Sequence, residues 1–189
     1  MKIEIKVSAR HIHLCEKDYK LLFGDLPLTK YVDLTQPGMF AANEKVSLIT
    51  ESGRIDNVRI VGPLRNYTQV EISKTDAYKL KLNPPVRNSG DLENSEDIWI
   101  EANGNRILAK SSCIIATRHI HIRIDELEKY NLENNQKVSV RVNSEKGGIL
   151  DNVYVKATTE AAYEMHIDLD DANANLLNNG DFGEILIWK

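Results

Sequence analysis

The sequence predicts a mainly β protein made of two similar units, each of barrel or sandwich type, with few and short α-helices. Three observations predict it. Short segments of alternating polar and apolar residues recur along the whole chain, helical patterns are few and brief, and the second half repeats the first.

Taken in order, "MKIEIKV" alternates from the first residue and reads as a strand rather than a signal peptide. "CEKDYKLLFG" offers an acidic first turn, apolar residues at helical spacing and a closing Gly24, the marks of a short helix. "EKVSLIT", "DNVRIVG", "TQVEIS" and "DIWIEA" follow as strands, and "NPPVRNSGDLENSED", residues 83–97, reads as the connection between the halves. In the second half "KVSVRV", "DNVYVKA", "YEMHIDL" and "EILIWK" read as strands, with "IDELEKYNL" and "DDANANLLNNG" as short helices.

Composition narrows the function classes. The 189 residues are long enough to bury a real core, and 42% hydrophobic with 28% charged residues is ordinary for a globular protein. The longest apolar runs, such as "CIIA", are strand-sized, which argues against a membrane span. A net charge of −4 argues against nucleic-acid binding but leaves room for a small anion held by local arginines. Two cysteines make no disulfide framework, so a reducing cytoplasm is expected.

The repeat carries the chemistry. "SARHIHLCE" in the first half returns as "ATRHIHIRID" in the second, so four of five histidines fall in two copies of one phrase. "EKVSLIT" then matches "QKVSVRV", after extra residues in the first half that lie within "GDLPLTKYVDLTQPGMFAAN". "DNVRIVG" matches "DNVYVKA", and "VEISKTDA" matches "MHIDLDDA". In a strand, residues i and i+2 face the same side, so His11 and His13 project together, as do His119 and His121. A single His-X-His in a strand is ordinarily an exposed pair; two copies in matched places point to metal. The fifth histidine, His166, falls opposite Glu71 in the repeat. The sets His11, His13, Glu71 and His119, His121, His166 each supply three ligands and leave one position open, which is the catalytic rather than the closed structural zinc pattern.

Arg10 and Arg118 precede the paired histidines and turn to the opposite face, where ion pairing is the better reading. Arg65, six residues before Glu71, is placed to hold a phosphate bidentately; from spacing alone a surface arginine is an equal reading. Its counterpart in the second half is Glu160, so that function is not duplicated. Cys113 opens an apolar run and reads as a small buried hydrophobe, and Cys15 stands at a helix N-cap.

The blocks "VSARHIHL", "GPLRNYTQVEIS", "PVRNSG", "ATRHIHI" and "EMHIDLDDANA" together resemble the PduL-type phosphotransacylases, the phosphate propanoyltransferase family, over nearly the whole chain. The resemblance implies two small β-barrels entwined by exchange of the first strand. Residues 1–9 with 117–189 would form one barrel and 10–116 the other, with a two-stranded excursion near 24–43 and the site between the barrels. It implies two zinc ions per chain, held by His11, His13, Glu71 and by His119, His121, His166, with Arg65 catalytic and Ser89 and Asn173 binding substrate. It further implies a homodimer that moves a propanoyl or acetyl group between coenzyme A and phosphate, giving acyl phosphate and CoA. Members housed in bacterial microcompartments carry an N-terminal amphipathic extension. Here the first strand begins at once, so a cytoplasmic location is expected. Two other readings stay open: a metal-dependent thioester hydrolase, for which the phrase H-x-H-x-D-H is missing, and a metal-binding barrel acting as an interaction module.

Overall fold

The structure, a computed structural model, describes residues 1–186. In chain order its first elements are β1 (Lys2–Ser8), β2 (His11–His13), α1 (Glu16–Phe23), β3 (Lys30–Asp33), β4 (Phe40–Ile49), β5 (Arg54–Gly62) and β6 (Gln69–Glu71). There follow α2 (Lys74–Leu80), β7 (Val86–Arg87), β8 (Glu96–Ala102), β9 (Asn105–Ala116) and β10 (His119–Arg123). The chain continues with α3 (Leu127–Tyr130), β11 (Lys137–Val142), β12 (Gly148–Thr158), β13 (Glu164–Asp168), α4 (Leu169–Asn175) and β14 (Phe182–Leu186). Of the last expected strand, "EILIWK", residues 187–189 lie outside the described residues.

The chain divides into two compact units, Met1–Ala9 with Thr117–Lys189, and Arg10–Ala116. The first is a closed barrel in the order β1-β13-β10-β12-β11-β14, with β14 returning to β1. Its core gathers Ile3, Ile5, Ile120, Ile122, Val140, Val153, Val155, Met165 and Ile167, the inward positions of alternating strands. Closure removes the edges that a six-stranded open sheet would leave unpaired.

The second unit closes in the same way. β4, β5, β2, β6 and β9 pair in succession, and β8 joins β9 back to β4. Ile12, Val46, Val58, Ile60, Val70, Ile98, Ile100 and Cys113 fill this core. β3 pairs antiparallel with the start of β4, forming a two-stranded extension of the barrel. β7 pairs with the end of β9. Among the described residues the fold is therefore mainly β, two closed six-stranded barrels with four short helices.

The repeat extends to backbone details. Ser73 caps α2 by accepting from the Asp76 N–H, and Asp168 caps α4 by accepting from the Asp171 N–H. Both helices end on a left-handed residue, Lys81 and Leu176. Asn57 and Asn152, at the same place in β5 and β12, both take positive φ, a conformation that asparagine tolerates well.

Three local readings need revision. α2 was not expected as a helix; its signal is the Ser73-x-x-Asp76 cap, a short-range pattern. "IDELEKYNL" gives only a 3-10 turn over Ile124–Glu126 and the four-residue α3. Residues 83–97 do not join the two units, because they lie within Arg10–Ala116 and carry β7 and the start of β8. Cys15 is the N-cap of α1 but makes no side-chain cap bond. There Thr68 Oγ1 donates to Asp18 at 2.6 Å and accepts the Cys15 N–H at 3.1 Å. Among the described residues no helix is long and apolar enough to cross a membrane.

Candidate active site and metal-binding groups

In the unit Arg10–Ala116, antiparallel pairing of β2 with β6 sets His11 opposite Glu71 and His13 opposite Gln69. Ile12 and Val70 point into the core, so the polar side chains share the opposite strand face. His11, His13 and Glu71 each offer a ligand atom within 4.8 Å of the others. His11 Nε2 stands 3.5 Å from Glu71 Oε2, and the two imidazoles meet edge to face at 5.1 Å. His13 Nδ1 donates to the Val61 carbonyl at 3.0 Å, which leaves Nε2 with its lone pair. Burial pushes the His13 imidazole down to about 3, helped by the neighbouring His11 and Arg65 and opposed by Glu71 and the Val61 carbonyl. It is neutral at pH 7, the form that binds metal.

The second group lies in the other unit. β10 pairs antiparallel with β13, setting His119 opposite His166 and His121 opposite Glu164. His119, His121 and His166 again offer atoms within 4.8 Å of one another. His119 Nδ1 donates to the Thr117 carbonyl at 2.9 Å, and its Nε2 faces His121 Nε2 at 3.1 Å. Burial, with His119, His166 and Lys156 adding to it, pushes the His121 imidazole down to about 2. His166 Nε2 lies 2.8 Å from Glu164 Oε1, and its Nδ1 lies 3.5 Å from Ser8 Oγ.

Arg65 is half-buried, and its backbone is held by an N–H bond to the Leu14 carbonyl and a bridge to Cys15. Its guanidinium reaches Ser89 Oγ and Tyr67 Oη, each at 3.4 Å. Ser89 accepts from Gln69 Nε2 at 2.8 Å, and that same nitrogen donates to Glu71 Oε1 at 2.5 Å. One continuous set of contacts thus joins Arg65, Ser89, Gln69 and Glu71. Gly90 completes it: its N–H donates to Gln69 Oε1 at 2.8 Å from a backbone at φ +99°, a conformation that disfavours any side chain.

Asn173 is exposed on α4 and, among the described residues, its side chain takes no part in the hydrogen bonds around His119, His121 and His166. Arg10 and Arg118 form the ion pairs their positions favour, Arg10 with Asp76 at 2.9 Å and Arg118 bidentately with Asp171 at 2.6 and 2.8 Å. Cys113 is buried, and burial pushes its thiol up to about 12. Sequence reasoning missed Gln69 and Glu164 as parts of these groups. The available signal was their shared place in the repeat, two residues before Glu71 and His166.

A phosphate propanoyltransferase of Priestia megaterium is 44% identical over 188 residues, covering 99% of this chain and 87% of that protein. One of Thermotoga maritima is 43% identical, with 95% and 86% covered, and one of Citrobacter freundii is 40% identical, with 91% and 82% covered. The sequence model of the phosphate propanoyltransferase family matches residues 4–178, and the chain belongs to that family of acyltransferases.

Proposed function

We propose that this phosphate acyltransferase is zinc-dependent and moves a short acyl group, propanoyl or acetyl, between coenzyme A and inorganic phosphate. The products are acyl phosphate and CoA. The observation that carries this reading is the matched pair of three-ligand groups with an arginine tied to only one of them. A duplicated metal site alone would serve many purposes. An unduplicated guanidinium linked through Ser89 and Gln69 to a ligand carboxylate is what an anionic co-substrate needs.

The donors fit the ion. Five imidazoles and one carboxylate are borderline to hard ligands, two of the imidazoles are held neutral by burial, and two present Nε2 because Nδ1 is engaged by a carbonyl. His11, His13 and Glu71 would hold one zinc, and His119, His121 and His166 a second. Bound zinc supplies a Lewis acid for a thioester carbonyl and a soft partner for thiolate sulfur.

The chain's own groups do the rest. Arg65 binds phosphate through its planar fork and brings it to the thioester, which lowers the entropic part of the barrier. Ser89 and Tyr67 restrict the guanidinium to that task. Phosphate oxygen attacks the acyl carbon, the C–S bond breaks, and the sulfur leaves with the electron pair. Neither cysteine carries the acyl group. Asn173 is assigned to substrate binding in the same proposal, as are a homodimeric state and a cytoplasmic setting that suits two free thiols.

The deciding assay measures CoA release from propanoyl-CoA and acetyl-CoA, with and without phosphate. Phosphate-dependent release is expected. Release that ignores phosphate would replace the transferase with a thioester hydrolase. No release from metal-replete protein would leave a metal-binding interaction module.

A further inference from the structure

Gln69 and Glu164 occupy the same place in the two repeats, are both buried, and both touch a metal-ligand candidate. Their chemistry is opposite, and so is that of their partners. We propose that residues 69 and 164 are the positioning residues of the two metal groups, each complementing its own ligand: an amide donor for the Glu71 carboxylate, and a carboxylate acceptor for the His166 imidazole. This rests on the metal-binding reading above and adds how each third ligand is aimed.

The amide orientation of Gln69 follows from the backbone around it. The Gly90 N–H can only donate, so the atom it meets at 2.8 Å is the carbonyl oxygen of Gln69. Nε2 must then face Glu71 Oε1 and Ser89 Oγ, at 2.5 and 2.8 Å. With Oε1 engaged, Glu71 turns its Oε2 toward His11 Nε2, at 3.5 Å. The ligand oxygen is thereby selected.

In the other unit the same selection is made with inverted polarity. A neutral imidazole carries one proton, and the Glu164 carboxylate at 2.8 Å fixes it on His166 Nε2. Nδ1 is left with the lone pair. Glu164 acts through His166, as outer carboxylates act on metal-binding histidines. The exchange also equalises charge: each set of four (two paired histidines, the third ligand candidate and its partner) contains one carboxylate.

The test uses the full-length chain, stripped of metal and titrated with Zn(II) and Co(II) against a competing chelator. Wild type is expected to bind two equivalents; if it binds none, the metal reading and this inference fall together. With two bound, Glu164→Gln should weaken one equivalent about ten- to a hundredfold, while the Co(II) absorption bands at saturation keep their positions. Unchanged affinity, or shifted bands that mark Glu164 as a ligand, would overturn the inference and leave the metal reading standing. Glu71→His rebuilds the second-half ligand beside the wrong partner, since the Gln69 amide then presents a donor to a ring N–H. The double variant Gln69→Glu/Glu71→His supplies the matched acceptor and should bind Co(II) more tightly than Glu71→His alone. Equal affinity of the two would likewise refute the pairing. Circular dichroism of each variant checks folding, and Glu164→Gln, nearly isosteric, keeps the test decisive if the residue 71 variants do not fold.

Discussion

Arg65 and Cys113 show how differently two reactive side chains behave once their surroundings are set. Arg65 is half-buried, and its guanidinium contacts two hydroxyls while remaining outside the ligand group itself. Truncating it to alanine removes charge-assisted hydrogen bonds of about 1.5–3 kcal/mol, roughly a 10- to 150-fold loss of rate. Steady-state kinetics with phosphate as the varied substrate should show that loss, with zinc content unchanged by elemental analysis. Wild-type kinetics would return Arg65 to the surface. Cys113 is sealed in the core opposite Val70, and burial raises its thiol to about 12 against an unfolded value near 9. An acid whose folded pKa is raised destabilises the fold as pH climbs past the unfolded value, because only the unfolded chain gives up the proton. Between about pH 9 and 12 the wild type should therefore lose stability relative to Cys113→Ala by up to about 1.4 kcal/mol per pH unit. Urea unfolding of both proteins at pH 8 and 10.5 measures the difference; parallel midpoints at the two pH values would contradict it. The same burial keeps the thiolate out of catalysis, so intact mass after mixing with acyl-CoA alone should show no adduct on Cys113.

Short strands and their caps translate residue patterns into placement of the candidate ligands. β2 and β6 have three residues each, and β10 and β13 five, yet their alternation suffices to put Ile12, Val70, Ile120 and Met165 inside and the ligand types on the other face. That much was legible in the sequence, because period-two alternation needs only a few residues. The first part of β9 gives no strand signal despite the element's twelve residues: "NRILAKSSC" mixes exposed Arg106, Leu108, Lys110 and Ser111 with buried Ala109 and Ser112 and shows no clean alternation, so closure of the barrel decides the strand there. α2 was missed because a seven-residue helix gives too few turns for periodicity, leaving only its cap as a signal. Those caps also fix where β6 and β13 stop. Ser73→Ala and Asp168→Ala should each cost about 0.5–2 kcal/mol by losing the bond to a first-turn N–H. Chemical denaturation reads this directly. Asp168→Asn keeps an acceptor and should recover most of the loss, whereas failure to recover would assign the effect to charge rather than capping. Arg10–Asp76 and Arg118–Asp171 add a second tie, from the residue before each paired-histidine strand to the helix that follows β6 or β13, the latter pair bidentate.

At the scale of the whole chain, the sequence halves and the folded units are different divisions of the same repeat. β1 precedes the first histidine strand but pairs parallel with β13 and antiparallel with β14, all within the unit that carries the second histidine group. β9 precedes the second histidine strand and takes the equivalent place between β6 and β8 in the other unit. A repeat found by matching motifs shows that two similar units exist; it does not show which copy of the leading strand each unit uses, since both copies have the same pattern. The consequence is physical. β1 is bonded on both sides and buries Ile3 and Ile5 completely or nearly so, a contribution of roughly 1.5–3 kcal/mol for each side chain. Its removal opens the barrel and leaves β13 and β14 each with an unpaired edge. Deleting residues 1–9 should therefore abolish amide protection across β10–β14, although the deletion lies in the first half of the sequence. Protection in β2, β4, β5 and β6 should persist, because none of them pairs with β1. Hydrogen exchange followed by peptide mass spectrometry reads both regions at once. Retained protection in β13 would mean that the second-half strands close without β1. Loss confined to β2–β6 would place the leading strand with its own half.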